Sequence, residues 1–327
     1  MPRVTLPEAS GGTFDSWHQS SAGRIRVYWL GAAPADAALT AALEACEAEL
    51  RVVAAAPEDD QPSRLLDPRG DFARALAVKV PAAVVVDAND RLVAVLPQPT
   101  PDAVAALVRA LHAESTPAIV RMQAPVLMVE RAIDPELCGR LIEHWRRNDK
   151  IADGVASAAD ASRADAVVKK RADVPVNDVQ LFTALRDGLV RRVMPAILQA
   201  FHVRIVQIEL PRIGCYDAET GGWFRRHRDN TTPYTAHRQF AMSLNLNPTD
   251  EYEGGEVRFP EFGRQLYKPA AGAALIFSCS LLHEAMPVTR GQRFGVFSFL
   301  HDESRDAQYR RTMAEAQARG VAGVQMR

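Results

Sequence analysis

The sequence predicts an α/β domain followed by a jelly-roll-like β domain with flanking helices, and three observations predict it. Up to about residue 113, strand-like and helix-like stretches alternate in the order β-α-β-α-β-β-α. From residue 203 onward the chain turns to short apolar runs punctuated by Gly, Pro and Asn, the pattern of a double sheet or barrel. The length, 327 residues, is long for one compact domain and comfortable for two.

In the first third, Arg24 to Leu30 reads as a strand, and Ala37 to Leu50 as a helix carrying Leu39, Leu43, Cys46 and Leu50 on one stripe. Arg51 to Ala55 is a short strand and Asp71 to Val78 a short helix. Pro81 precedes the apolar run Ala82 to Val86, which a turn at Asp87 to Asp90 joins to Leu92 to Leu96 as a hairpin. Thr100 caps a helix with Pro101 at its first position, and Val104, Leu107, Val108 and Leu111 form its buried face. These elements fill a first domain, residues 1–115, with a linker at 116–123.

A second domain is expected over 124–302. Pro125 to Val129 is strand-like, and Asp134-Pro135 opens a helix with Leu137, Leu141 and Trp145 on one face. Ile151 to Ala166, rich in Ala, Asp and Ser, reads as a mobile loop. A long helix, about Asp178 to Phe201, is expected to kink at Pro195. Strands are expected at Val203 to Leu210, Phe240 to Leu246, Gly255 to Phe259, Gln265 to Tyr267, Ala273 to Phe277 and Arg293 to Leu300. A polar helix within a tail, 303–327, ends the chain.

Composition narrows the function classes. Hydrophobic residues are 47% and charged residues 24%, ordinary for a protein with a real core. A net charge of -1 gives no bulk attraction to nucleic acid or to an anionic membrane. No apolar run approaches the roughly 20 residues that span a bilayer, and residues 1–17 lack the basic-then-apolar pattern of a secretory signal. Cys46, Cys138, Cys215 and Cys279 are far apart and form no CxxC, so a reducing cytoplasm is expected.

The chemistry concentrates in His227-Arg228-Asp229, His283 and Arg293. Residues i and i+2 of an extended segment point the same way, so His227 and Asp229 can grip one ion while Arg228 faces out. His283, following an apolar strand, would bring a third ligand from the opposite end of the barrel. Two His and one carboxylate leave metal positions open, the arrangement of non-haem Fe(II) oxygenases. Arg293, ten residues on, is a fixed cation able to hold the remote carboxylate of a dicarboxylic co-substrate. His112-Ala113-Glu114 also fits H-x-[DE] but reads as the surface end of a helix. Arg290, beside a Gly, reads as solvent-facing, and the Lys169-Lys170-Arg171 cluster as a solvated loop. Arg238 fits either a site position or a surface strand end. Residues 151–175 and 230–237 are candidate lids.

Residues Tyr216 to Asp229 (YDAETGGWFRRHRD), Gly254 to Phe259 (GGEVRF) and His283 to Arg293 (HEAMPVTRGQR) occur in that order, and Pro125 to His301 resembles the 2-oxoglutarate/Fe(II) dioxygenases of the prolyl-4-hydroxylase-like branch. The resemblance implies a double-stranded β-helix (jelly-roll) oxygenase domain. It implies Fe(II) held by His227, Asp229 and His283, and 2-oxoglutarate held by Arg293 with help from Tyr216. O2 is the oxidant, ascorbate a candidate reductant, and succinate and CO2 the co-products. It further implies hydroxylation of an unactivated C–H on an amino-acid, peptidyl or small-metabolite substrate, and the carboxylate of Asp229 favours this over halogenation. A non-catalytic scaffold with a vestigial metal site stays as an alternative.

The stretch Arg24 to Ala113 resembles the thioredoxin/peroxiredoxin fold. Lys79-Val80-Pro81 looks like its cis-proline junction, and VVVDANDRLVAVLP like the hairpin that follows. A redox-active member would carry a cysteine within Gly31 to Asp36, and none is there. Cys46 falls on the apolar stripe, where a thiol is more often inert packing. A thiol redox protein is therefore the weaker alternative, and docking or homodimerisation is the expected role of this domain.

Overall fold

A computed structural model describes residues 4–16, 23–32, 34, 36–56, 64–88, 91–114, 119, 122–152, 154–155, 163–164 and 169–319. Internal contacts divide the chain into two units, Met1–Ile119 and Val120–Arg327.

The first unit is a five-stranded sheet in the order Arg64–Leu66, Glu49–Ala54, Arg26–Leu30, Ala82–Val86, Leu92–Pro97. The first three strands run parallel and the last two antiparallel. All five residues of Ala82–Val86 are buried, because successive side chains feed opposite cores. Ala83 and Val85 join α1 (Ala37–Ala45) and α3 (Pro101–Glu114) through Leu39, Leu43, Val104 and Val108. Val84 and Val86 join Phe72 of α2 (Asp71–Ala75), with Phe14 from a small hairpin. The Val80–Pro81 peptide is cis. Helix α1 ends five residues before the apolar stripe does. Glu47 takes a left-handed φ of 49°, and Leu50 already belongs to the next strand, so its periodicity was that of two elements. The strand Arg64–Leu66 and the hairpin Thr5–Pro7/Thr13–Asp15 carry too few residues to show a period.

The second unit is two antiparallel sheets with helices against one of them. The larger runs Val126–Val129, Ala274–Ser278, Phe240–Asn245, Gln292–His301, Arg212–Asp217, Ala172–Pro175, Ile151–Ala152, with Gln207–Ile208 pairing to Gln292–His301. The smaller runs Lys169–Lys170, Trp223–His227, His283–Ala285, Val257–Arg258, Leu266–Tyr267. Helices α4 (Pro135–Arg147), α5 (Val179–Gly188) and α6 (Met194–Phe201) cover one face of the larger sheet. There Leu141, Leu185, Leu189 and Ile197 meet Ile213, Met242, Ile276 and Val296. Burying each such side chain is worth about 1.5–3 kcal/mol. Trp145 pins α4 by donating to the Ala172 carbonyl at 2.8 Å.

The expected long helix is continuous from 179 to 201 but widens to a π turn at Leu189–Val193, where the Met194 N–H reaches the Leu189 carbonyl. Pro195 follows directly, and the wide turn relieves the clash its ring would make with the preceding turn. Sequence analysis placed one strand at 203–210; only Gln207–Ile208 pairs, and the longer strand is Arg212–Asp217. Most of the 151–166 loop and of the 116–123 linker lies outside the described residues. So does the end of the tail, after α7 (Glu303–Ala318).

Candidate metal centre

The second unit encloses a cavity of about 770 Å³ walled by both sheets. On the smaller sheet, Trp223–His227 pairs with His283–Ala285 so that His227 stands directly opposite His283. The two imidazoles therefore come from neighbouring strands, not from opposite ends of the barrel as expected, and their ring centroids are 4.2 Å apart. The strand stops at His227, and the Asp229 N–H donates to the Cys279 carbonyl at 2.9 Å, which turns its carboxylate back toward the rings. Asp229 Oδ1 lies 3.3 Å from His227 Nε2, and Oδ2 lies 3.4 Å from His283 Nε2. One donor atom from each of the three residues falls within 4.8 Å of the others. Arg228 points away, reaching the Ser280 carbonyl and Glu261.

Both rings are oriented by main chain. His227 Nδ1 donates to the Arg225 carbonyl at 2.7 Å, and His283 Nδ1 to the Leu281 carbonyl at 3.0 Å. A carbonyl only accepts, so Nδ1 carries the proton and Nε2 presents its lone pair, as a metal ligand must. Phe224 stacks on His227 at 3.6 Å, and Phe277 packs edge-on to His283 at 4.6 Å. His227 Nε2 is buried and finds no hydrogen-bond partner among the described residues. Burial holds His283 at about 4, so it is neutral. Burial alone would raise Asp229, yet His283, His227 and Arg238 hold it down to about 2 and keep it ionised. Two imidazole lone pairs and a carboxylate can hold a divalent first-row metal.

Arg293 opens the long strand Gln292–His301 and is 2% exposed. It donates through Nη1 to the Gly255 carbonyl at 2.7 Å and through Nη2 to Ser243 Oγ at 2.9 Å, and no carboxylate pairs with it among the described residues. Gly255, at φ 72°, makes room for it, since a Cβ there would lie 2.9 Å from Arg293 Cδ. Tyr216 pairs with Arg293 across the strands, its ring 5.6 Å from the guanidinium carbon, and its hydroxyl accepts from Arg171 at 3.4 Å. Arg290 is exposed and bound to Glu253, and His112 is exposed on α3, both as expected.

One reading changes, and one left open is decided. Lys169 and Arg171 are not solvated: both line the cavity and share the fully buried Asp173, at 3.2 Å and 2.5 Å. Burial and the Arg171 charge lower Lys169 to about 7. Arg238 faces inward, clasping Glu209 at 2.9 Å and 2.8 Å over the face of Phe299. His237, His301 and Tyr309 join Glu209 in the lining, and no local spacing marks any of them in the sequence.

A His/His/carboxylate trio, preformed on a double sheet beside a buried arginine, has the donor set that a mononuclear non-haem metal site uses. Residues 212–301 match the model of the 2OG-Fe(II) oxygenase superfamily, a family whose cofactors are Fe(II), 2-oxoglutarate and O2. Among curated proteins, a PKHD-type hydroxylase of Synechococcus sp. (strain JA-2-3B'a(2-13)) is 33% identical over 110 residues, 32% of this chain and 48% of that protein. One of Delftia acidovorans (strain DSM 14801 / SPH-1) is 39% identical over 98 residues, 28% of this chain and 42% of that protein. The chain thus spans about half the length of the curated relatives it matches. A prolyl hydroxylase of Trichoplax adhaerens, solved with a hypoxia inducible factor peptide fragment, aligns at 14% identity and a TM-score of 0.45, covering 57% of this chain and 87% of that one. No helix among the described residues is long and apolar enough to cross a membrane.

Proposed function

We propose that the protein is an Fe(II)- and 2-oxoglutarate-dependent hydroxylase of an unactivated C–H, on an amino-acid, peptidyl or small-metabolite substrate. The observation that carries this is the pairing of two unmet demands in one cavity. Among the described residues, His227 Nε2 is a buried lone pair without a donor, and Arg293 is a buried cation without a carboxylate. A divalent metal answers the first and a dicarboxylate the second.

His227, Asp229 and His283 would hold the metal, and Arg293, with Tyr216 beside it, the far carboxylate of 2-oxoglutarate. Bound there, the two cofactors supply oxidation of a C–H by O2, with succinate and CO2 released. The chain's own part is positioning and exclusion of water. Ser243 and the Gly255 carbonyl fix the guanidinium plane, so the co-substrate meets a preset fork. Phe224, Phe277 and Phe297 keep the metal face dry. Asp229, held ionised, would supply the negative charge that a divalent metal needs from its ligands.

The N-terminal unit is read as thioredoxin-like and redox-inactive, with docking or homodimerisation as its role. Support comes from its strand order and the buried Cys46.

Anaerobic titration of the full chain with Fe(II) and then 2-oxoglutarate tests the main reading, followed by succinate measured after O2 is admitted. One equivalent of each should bind, and His227→Ala should lose the metal. A chain that binds no Fe(II) would sink the proposal.

A further inference from the structure

The cavity extends well beyond the space a five-carbon co-substrate needs. Arg293, Phe297, Phe299 and His301, alternate residues of one strand, all line it. At roughly 3.4 Å per residue its two ends stand roughly 27 Å apart along that strand. The end away from Arg293 holds a second cluster, in which Glu209, His237 and His301 bring one donor atom each within 4.8 Å of the others. His237 and His301 are 2% and 1% exposed, and the Nδ1 atom of each is buried with no hydrogen-bond partner among the described residues. The other nitrogens are engaged, His237 Nε2 at 2.9 Å from Glu209 Oε1 and His301 Nε2 at 3.5 Å from Asp306 Oδ1. A neutral imidazole that donates through Nε2 leaves Nδ1 as a bare acceptor. Two ring lone pairs at this pole are therefore unmatched among the described residues, beside a carboxylate that accepts from His237 and Arg238.

A primary ammonium carries three N–H donors and no acceptor, which is the complement of that set. A divalent metal fits less well. The Arg238 guanidinium already clasps Glu209 through both oxygens, and a charge of +2 beside it is repelled twice as strongly as a charge of +1. The surrounding walls suit an alkyl chain, since Phe299 lies under Arg238, Tyr309 packs 4.5 Å from His237, and Met313 of α7 closes the lining.

The geometry points to a primary-ammonium subsite: Glu209, His237 and His301 hold the –NH3+ of the hydroxylated substrate, and a carbon further along its chain reaches the metal face. This rests on the oxygenase reading above and names its substrate class, an aliphatic primary amine such as a lysyl-type side chain or a free amino acid.

Calorimetric titration tests it, with L-lysine and 6-aminohexanoate as probes, hexanoate and the trimethylated 6-(trimethylammonio)hexanoate as controls. The titrations use the full chain, both metal-free and loaded anaerobically with Fe(II) and 2-oxoglutarate. Both amines should bind, and hexanoate should not. The trimethylated probe, which has no N–H, should bind about tenfold or more weakly. His301→Phe keeps the ring volume and Glu209→Gln the side-chain length; each should weaken amine binding about tenfold or more. Affinity for 2-oxoglutarate, read in the same samples, should move by less than about threefold. Amines binding no better than hexanoate, or the trimethylated probe binding equally, would overturn the subsite. So would a second equivalent of Zn(II) taken up by the wild type and lost in His301→Phe. Failure to bind Fe(II) or 2-oxoglutarate would instead strike the oxygenase reading, since the metal-free titration reports on the subsite alone.

Discussion

Replacing Arg293 with Met separates what that residue does for folding from what it does for the ligand. The guanidinium is 2% exposed, hydrogen-bonds to the Gly255 carbonyl and Ser243 Oγ, and has no carboxylate partner among the described residues. Hydrogen bonds to a charged group contribute about 1.5–3 kcal/mol each. Against them stands the desolvation of a buried ion, several kcal/mol after relaxation. The two nearly cancel, and Met fills much of the same apolar path, so Arg293→Met should change the melting temperature by no more than a few degrees. The ligand has no such offset. Removing one partner of a buried ion pair costs about 3–5 kcal/mol, which is roughly two to four powers of ten in the Kd for 2-oxoglutarate. The assay is anaerobic titration of the Fe(II)-loaded variant with 2-oxoglutarate, with melting curves on the same samples. A bound co-substrate at a hundredfold excess over Kd adds about 2.7 kcal/mol of stability, and the variant should show none of it at wild-type concentrations. A folded Arg293→Met protein that bound 2-oxoglutarate within threefold of wild type would refute the assignment.

Three further outcomes follow from the packing and charges. Gly254 sits at φ 78°, and a Cβ there would lie 2.0 Å from the Pro287 carbonyl oxygen; Gly254→Ala should destabilise by about 2 kcal/mol or more, lowering the urea midpoint, and an unchanged midpoint would contradict the turn geometry. Lys169, lowered by burial and by Arg171 to about 7 from 10.5, is bare in the folded protein over a range where the unfolded chain still binds its proton. Stability from this group therefore rises with pH between about 7 and 10.5. Lys169→Met should flatten that rise, and parallel midpoint-versus-pH curves for the two proteins would reject it. All four cysteines are buried, so a thiol reagent should label none within minutes under native conditions and four after unfolding; fast labelling of Cys46 would reopen a redox role for the N-terminal unit.

The gathering of His227, Asp229 and His283 was legible because its determinants are local. His227 and Asp229 sit at strand spacing, His283 follows an apolar strand, and Arg293 opens the last one, where a buried cation stands out. The amine pole was not, because its pairs join residues that no periodicity relates. Glu209 meets His237 and Arg238 from 28 and 29 positions away, and Tyr309 arrives on a helix whose sequence reads as plain surface. Lys169 and Arg171 misled for a related reason. A run of three basic residues ordinarily means solvent, and only Asp173 and the absence of a Cβ at Gly214, where one would lie 2.5 Å from Arg171 Nε, let two of them turn inward. Element boundaries failed where one apolar stripe served two elements, as at α1 and the strand beginning at Glu49.

The two ends of the cavity differ in how replaceable their supports are. His227 and His283 lean on the carbonyls of Arg225 and Leu281, two residues back in the chain. Any residue at 225 or 281 still supplies a carbonyl, so no side-chain substitution deletes the brace that aims either ring. At the other end, His237 leans on the Glu209 side chain and His301 on that of Asp306. A single codon change removes either support without touching the metal face. One end of the cavity is therefore buffered against drift while the other is free to be rewritten, and on the proposed oxygenase reading a chain built this way can change what it oxidises while leaving intact the means by which it oxidises.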